Sequence, residues 1–233
     1  MLVPLLAVAY LLLARRYRPE PWRAAGFATG LALILFAFVT PLETLSMNYL
    51  LTAHLLQNVV LAEWAPALCV LGLPAAAAQR VAELPLARGV THPLVALPLW
   101  LGTYFVWHLP WAYDTALEHP NSLLHLEHGC YFATGVLVWW PVVTGTLVPG
   151  AAAAYLFAAF VLASPLGLLL ALLPRAVYPF YESAPRVWGL SPLADQQVAG
   201  LTMAAEQAVV FFAAFTYLFV RFLAVEERVV LEP

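Results

Sequence analysis

The residues of this chain best equipped for chemistry are four of its six histidines, His54, His108, His125 and His128. All four fall near the ends of long apolar stretches, at one common depth. His125 and His128 are three apart and share a helix face. His54 shares its face with Asn58 and, if its helix begins early, with Met47. Asp195 opens the last apolar stretch at the same depth. One stripe of that stretch carries Gln196, Gly200, Met203 and Gln207; a second carries Asp195, Thr202 and Glu206. Imidazole, thioether and carboxylate together suit copper, whereas magnesium and calcium prefer oxygen-only sets. The candidate ligands are therefore His54, His108, His125, His128, Met203 and Asp195, with Gln57, Asn58, Gln196 and Asp114 as polar neighbours that would orient them. A plainer reading stays open: histidines within an apolar bundle also serve as hydrogen-bonding glue between helices, and Met203 also fits as a flexible packing residue.

The elements that must position these groups are transmembrane helices. The 233 residues are 64% hydrophobic and 10% charged, with mean hydropathy +0.85, which leaves too little polar surface to face water. Seven apolar stretches, at about 2–14, 24–39, 49–71, 93–109, 123–142, 151–173 and 193–222, alternate with turn-rich loops. Most approach the roughly 20 residues needed to cross a bilayer. Strands of a membrane barrel would alternate residue by residue in segments of about ten, and these do not. The first stretch is short, but no charged segment precedes it and no small-residue cleavage site follows. The expectation is all-α: a single domain, 1–233, forming a seven-helix membrane bundle.

Orientation follows from arginine, because the chain has no lysine. Arg15, Arg16, Arg18 and Arg23 crowd the first loop, and Arg80 and Arg88 lie in the third. The second and fourth loops, 40–48 and 110–121, carry no basic residue but His119. The positive-inside rule places the arginine-rich loops in the cytoplasm. The N-terminus is then outside, the C-terminus cytoplasmic and the four histidines in the outer leaflet. Arg175 and Arg186 of the sixth loop run against this bias, beside Glu182. Trp107, Trp111 and Trp188 on one side, and Trp22, Trp139 and Trp140 on the other, read as interfacial belts. Tyr178, Phe180, Tyr181 and Trp188, in the proline-rich sixth loop, form either a lid over the histidines or an ordinary surface loop. Cys69 and Cys130 lie on different helices and read as buried thiols. Glu63 and Glu206 lie near mid-membrane, Glu63 on the face opposite His54. No basic patch points to nucleic acid, and no nucleophile–base pair or phosphate loop points to an enzyme. A retinal Schiff base is excluded, since it needs a lysine.

Several segments together carry a resemblance. AHLLQ (53–57) precedes APALCVLGLP (65–74); WHLPWAYDTAL (107–117) is followed by HLEHG from His125 and WWP from Trp139; PLADQQVAGLTM (192–203) opens the last stretch. In this order and spacing they resemble the polytopic CtaG family of cytochrome c oxidase assembly factors, associated with caa-type oxidases, over about 41–222. The resemblance implies a bacterial plasma membrane protein that passes the bilayer several times and helps mature a haem-copper oxidase, with the oxidase subunits as partners and copper supplied to them from a separate donor protein or a free pool. The family's recurrent histidines map to His54, His108, His125 and His128, and its last motif to Asp195, Gln196 and Met203. The residues alone leave three alternatives: a b-type cytochrome with two axial histidines, a metal or proton transporter using Glu63 and Glu206, or a metal-free chaperone of oxidase subunits.

Overall fold

The computed structural model describes residues 2–231, which form helices and no strand. In chain order these are α1 (Leu2–Tyr17), α2 (Pro21–Val39), α3 (Pro41–Asn48), α4 (Leu51–Val59), α5 (Ala65–Gly72), α6 (Ala75–Glu83), α7 (Pro85–Val90), α8 (Pro93–Trp107), α9 (Pro110–Glu118), α10 (His125–Val143), α11 (Pro149–Leu172), α12 (Pro179–Ser183) and α13 (Pro192–Leu231). Many begin on proline, whose fixed φ suits the first turn and whose missing N–H has no intrahelical partner there anyway. Two π-helical turns interrupt the pattern, Val60–Trp64 between α4 and α5 and Pro120–Leu124 before α10.

Among the described residues four helical rods are long and apolar enough to cross a membrane: Pro21–Val39, Leu51–Gly72, Pro149–Leu172 and Pro192–Glu227. The helices α1, α8 and α10 have 16, 15 and 19 residues. Each of the seven apolar stretches read from the sequence is mostly helical, but their ends move: Tyr49, Leu50, His108, Leu109 and Leu173 lie outside helix. The largest difference is that α13 continues past Phe222 to Leu231. The loops expected at 40–48 and 110–121 are also largely helical, as α3 and α9. Thr40 explains the first of these: its hydroxyl accepts from the Leu42 N–H at 3.3 Å and so caps α3, satisfying one of the orphan donors of a helix start.

The rods pack around Leu51–Gly72, which contacts α2, α10 and α13, while α11 lies along α13 and α8 along α10. Close approach depends on glycine where α11 meets α13: a Cβ at Gly200 would sit 2.5 Å from the Gly167 carbonyl oxygen. The π turn has a local cause. Pro66 has no N–H to offer the Ala62 carbonyl four residues earlier, so the regular ladder cannot continue there. That carbonyl instead accepts the Trp100 indole N–H at 3.3 Å, and Gly135 of α10 packs directly against it.

Arg23 and Arg80 lie at the end of the bundle away from His54, His108, His125 and His128, whereas Arg186 of the sixth loop donates to the Tyr181 carbonyl at the histidine end. At one end Arg23 donates to the Leu71 and Leu73 carbonyls at 2.9 and 3.2 Å, and Arg80 stands over the Tyr17 ring. At the other, Gln57 of α4 donates at 2.6 Å to the Ala37 carbonyl near the end of α2. The tryptophans do not all sit in interfacial belts. Trp22, Trp111 and Trp188 are exposed, but Trp139 and Trp140 are buried, Trp139 stacked against Phe211. Their indoles fill the core because α10 is surrounded on several sides by α5, α8 and the π turn.

Candidate functional site

His54 lies one turn into α4 and is fully buried. Its Nδ1 is 2.9 Å from the Tyr181 hydroxyl, which donates its own proton to the Ser46 carbonyl at 2.6 Å. With that proton committed, the phenol oxygen accepts from His54, placing the imidazole proton on Nδ1. Nε2 is left as a bare lone pair, buried and without a hydrogen-bond partner. His108 repeats the arrangement at the C-terminal end of α8. Its Nδ1 donates to the Tyr104 carbonyl at 2.7 Å, with the Tyr131 hydroxyl 3.1 Å away, and its Nε2 is again buried and unpartnered. Locking one ring nitrogen by hydrogen bonding so that the other is a free donor is how proteins prepare histidine for a metal ion.

His128 of α10 stands across from His54, ring centroids 6.0 Å apart, its far side against Phe38. Its Nε2 is also buried without a partner. Tyr113 of α9 fills the space between His54 and His108, with centroids 5.0 and 6.0 Å from them. Tyr178 and Tyr181 close the site from the sixth loop: both are buried, and the Tyr178 hydroxyl donates to the His108 carbonyl at 3.0 Å. Burial holds both phenols above their ordinary range, so they remain O–H donors. These two tyrosines form a lid, while Trp188 is exposed and stands apart from it.

The other candidates divide. His125 is exposed at the rim and bonded through Nδ1 to the Pro120 carbonyl at 2.6 Å; it borders, with His128, a groove of about 780 Å³ also lined by Phe38, Glu43 and Met47. Asn58 donates to Glu127 at 3.2 Å within the histidine layer. Gln57 is committed to Ala37 and Glu43. Asp114, whose carboxyl burial raises above the ordinary range, lies beside the Phe180 backbone. Gln196 ties down the end of α11, accepting from Val177 N–H at 2.8 Å and donating to the Leu170 and Arg175 carbonyls. Met203 is buried where α13 crosses α11 at Gly167. Among the described residues, no three His, Cys, Asp or Glu side chains converge on a single point suited to an ion.

Asp195 works as a remote helix cap. Its carboxylate accepts from the Leu51 N–H at 2.7 Å, the Thr52 N–H at 3.1 Å and the Thr52 hydroxyl at 2.7 Å. A negative charge on these orphan donors also complements the positive end of the helix dipole. Alanine at 195 leaves buried donors unpaired, a loss of roughly 1–3 kcal/mol. The expected result is a lower thermal midpoint in detergent, partly restored by asparagine; an unchanged midpoint would refute the capping role.

The chain matches the cytochrome c oxidase caa3 assembly factor family over residues 8–224. It belongs to that family. No curated protein and no solved structure shows significant similarity to the chain. As a cytochrome c oxidase assembly factor by family, it carries at its histidine end several groups that sequence reasoning passed over. Tyr113 and Tyr131 gave no periodic signal. Glu127 did: a carboxylate between His125 and His128 in an apolar helix is costly unless it has a task, and it is buried against Asn58.

Proposed function

We propose that this assembly factor crosses the bacterial plasma membrane seven times, N-terminus outside, and carries copper for the oxidase at its outer histidine end. The observation that supports copper is the pair of buried, unpartnered Nε2 atoms on the neighbouring rings of His54 and His128. An imidazole nitrogen approaches an ion to about 2.0 Å, so two rings sharing one ion have centroids no more than about 6 Å apart, and these stand at 6.0 Å. Neutral imidazole is a ligand copper accepts well. His108, beyond Tyr113, would be a further station, and exposed His125 the point of arrival from a separate donor protein. Copper here is cargo. The residues' own task is to hold it weakly enough to give up to an oxidase subunit while the tyrosine lid excludes water. The seven crossings fit the apolar outward faces, such as Val161, Leu168, Leu169 and Leu172 of α11, which need lipid around them. The arginine end facing the cytoplasm follows the positive-inside rule.

Two measurements test this. Purified protein titrated with copper(I) against a chelator should bind the metal, and His54→Ala or His128→Ala should weaken binding at least 10-fold, with His92→Ala unchanged. Equal binding by all four proteins would sink the copper role, and a visible haem absorption band would replace it with a cytochrome. Reporter fusions at Pro233 and near Glu83 should both report cytoplasm; a signal from the opposite side at either would reverse the assigned orientation.

A further inference from the structure

A second polar group lies deeper in the bundle, away from the histidines. The π turn presents Glu63, fully buried, toward α13. Its Oε1 accepts from Gln207 Nε2 at 3.0 Å, and that same amide donates to the Tyr104 hydroxyl at 2.7 Å. Glu206, the neighbour of Gln207, accepts the Trp64 indole N–H at 2.7 Å. The two bonds cross: Gln207, the chain neighbour of Glu206, holds Glu63, and Trp64, the chain neighbour of Glu63, holds Glu206, so the two carboxyls stand at one point between the helices. Yet one oxygen on each, Glu63 Oε2 and Glu206 Oε1, is buried and has no donor.

No cation is available to this pair. The chain has no lysine, and the one ion pair among the described residues is Arg23 with Glu20, at the bundle's end. Of the elements packed on the π turn, α2 carries no ionisable side chain but Arg23, and those of α10 are confined to its first two turns, from His125 to Tyr131. Tyr104 is the one such group on α8. On α13 the nearest arginine is Arg221, 221 − 206 = 15 residues on, about 22 Å along the helix. Two carboxylates buried side by side without a cation cannot both stay ionised, and the usual resolution is uptake of a proton.

We infer that Glu63 and Glu206 form one proton-binding site within the bundle, a single proton lying between the two carboxyls and supplying the donor that both bare oxygens lack. Gln207 and Tyr104 hold Glu63 in place. Trp64 favours the ionised partner at Glu206. The inference is independent of copper, because neither carboxyl is bonded to a histidine; Tyr104 meets His108 only through its backbone carbonyl and ring, while its hydroxyl serves Gln207.

Infrared spectroscopy of the purified protein at neutral pH tests it. The wild type minus Glu63→Gln difference spectrum should show a protonated-carboxyl C=O band that shifts in D₂O. In Glu206→Gln the band should persist but move, since the Glu63 proton then faces an amide in place of a carboxylate. Absence of the band from the difference spectrum means Glu63 is ionised and overturns the inference. Should Glu63→Gln fail to accumulate, Glu206→Gln decides alone: a band identical to the wild type's means that no proton is shared.

Discussion

Cells carrying His54→Ala or His128→Ala should accumulate the assembly factor at normal levels while their oxidase is low in both copper and activity. The two buried, unpartnered Nε2 atoms, on rings whose centroids are 6.0 Å apart, motivate this. Removing even an orienting neighbour of a metal ligand typically costs 10–100-fold in affinity, so removing a ligand costs at least as much. Copper supplementation by the same factor should restore activity, because mass action replaces a weakened carrier but not a missing scaffold. Tyr181→Phe should show a smaller version of the same defect, since it frees His54 Nδ1 while leaving Nε2 present. Oxidase copper content and turnover in isolated membranes are the readouts. Full activity of both alanine variants under copper limitation would remove the metal role and leave a structural one.

The largest effect on folding is expected from Gly200→Leu. A Cβ at that position would stand 2.5 Å from the Gly167 carbonyl oxygen and 2.6 Å from the Ala171 nitrogen. Both are backbone atoms, so no side chain can swing aside. Overpacking a core ordinarily costs about 1–3 kcal/mol; forcing two helix backbones apart along the most extensive helix contact of the bundle should exceed that and abolish accumulation. Gly102→Ala is the control, because nothing lies within 4 Å of its added carbon and alanine is the better helix former by about 1 kcal/mol. Membrane content and detergent melting curves distinguish the two. A stable Gly200→Leu protein would mean that the α11–α13 crossing can part to admit a side chain and would overturn this prediction.

Hydropathy is a local property, and what depends on it was legible in the chain: the seven apolar stretches are all mostly helical, and the buried stripe of Gln196, Gly200, Met203 and Gln207 follows from helical spacing alone. The histidines' common end of the bundle was legible for the same reason, since depth follows from distance along a helix. Which rings face each other depends on how helices are ordered around the bundle, and spacing carries no information about that. Only the tertiary structure set His128 against His54, wedged Tyr113 beside them and brought Tyr178 and Tyr181 down from the sixth loop. It also gave Asp195, a plausible ligand by type and depth, to the N–H groups of α4, because a buried helix start must find acceptors somewhere. Glu63 is the sharpest instance. Straight helical spacing turns it away from His54, and the π turn imposed by Pro66, with its freed carbonyl taken by Trp100 from another helix, decides that it meets Gln207, beside Glu206. A proline is visible in a sequence; the distant indole that satisfies the carbonyl it orphans is not.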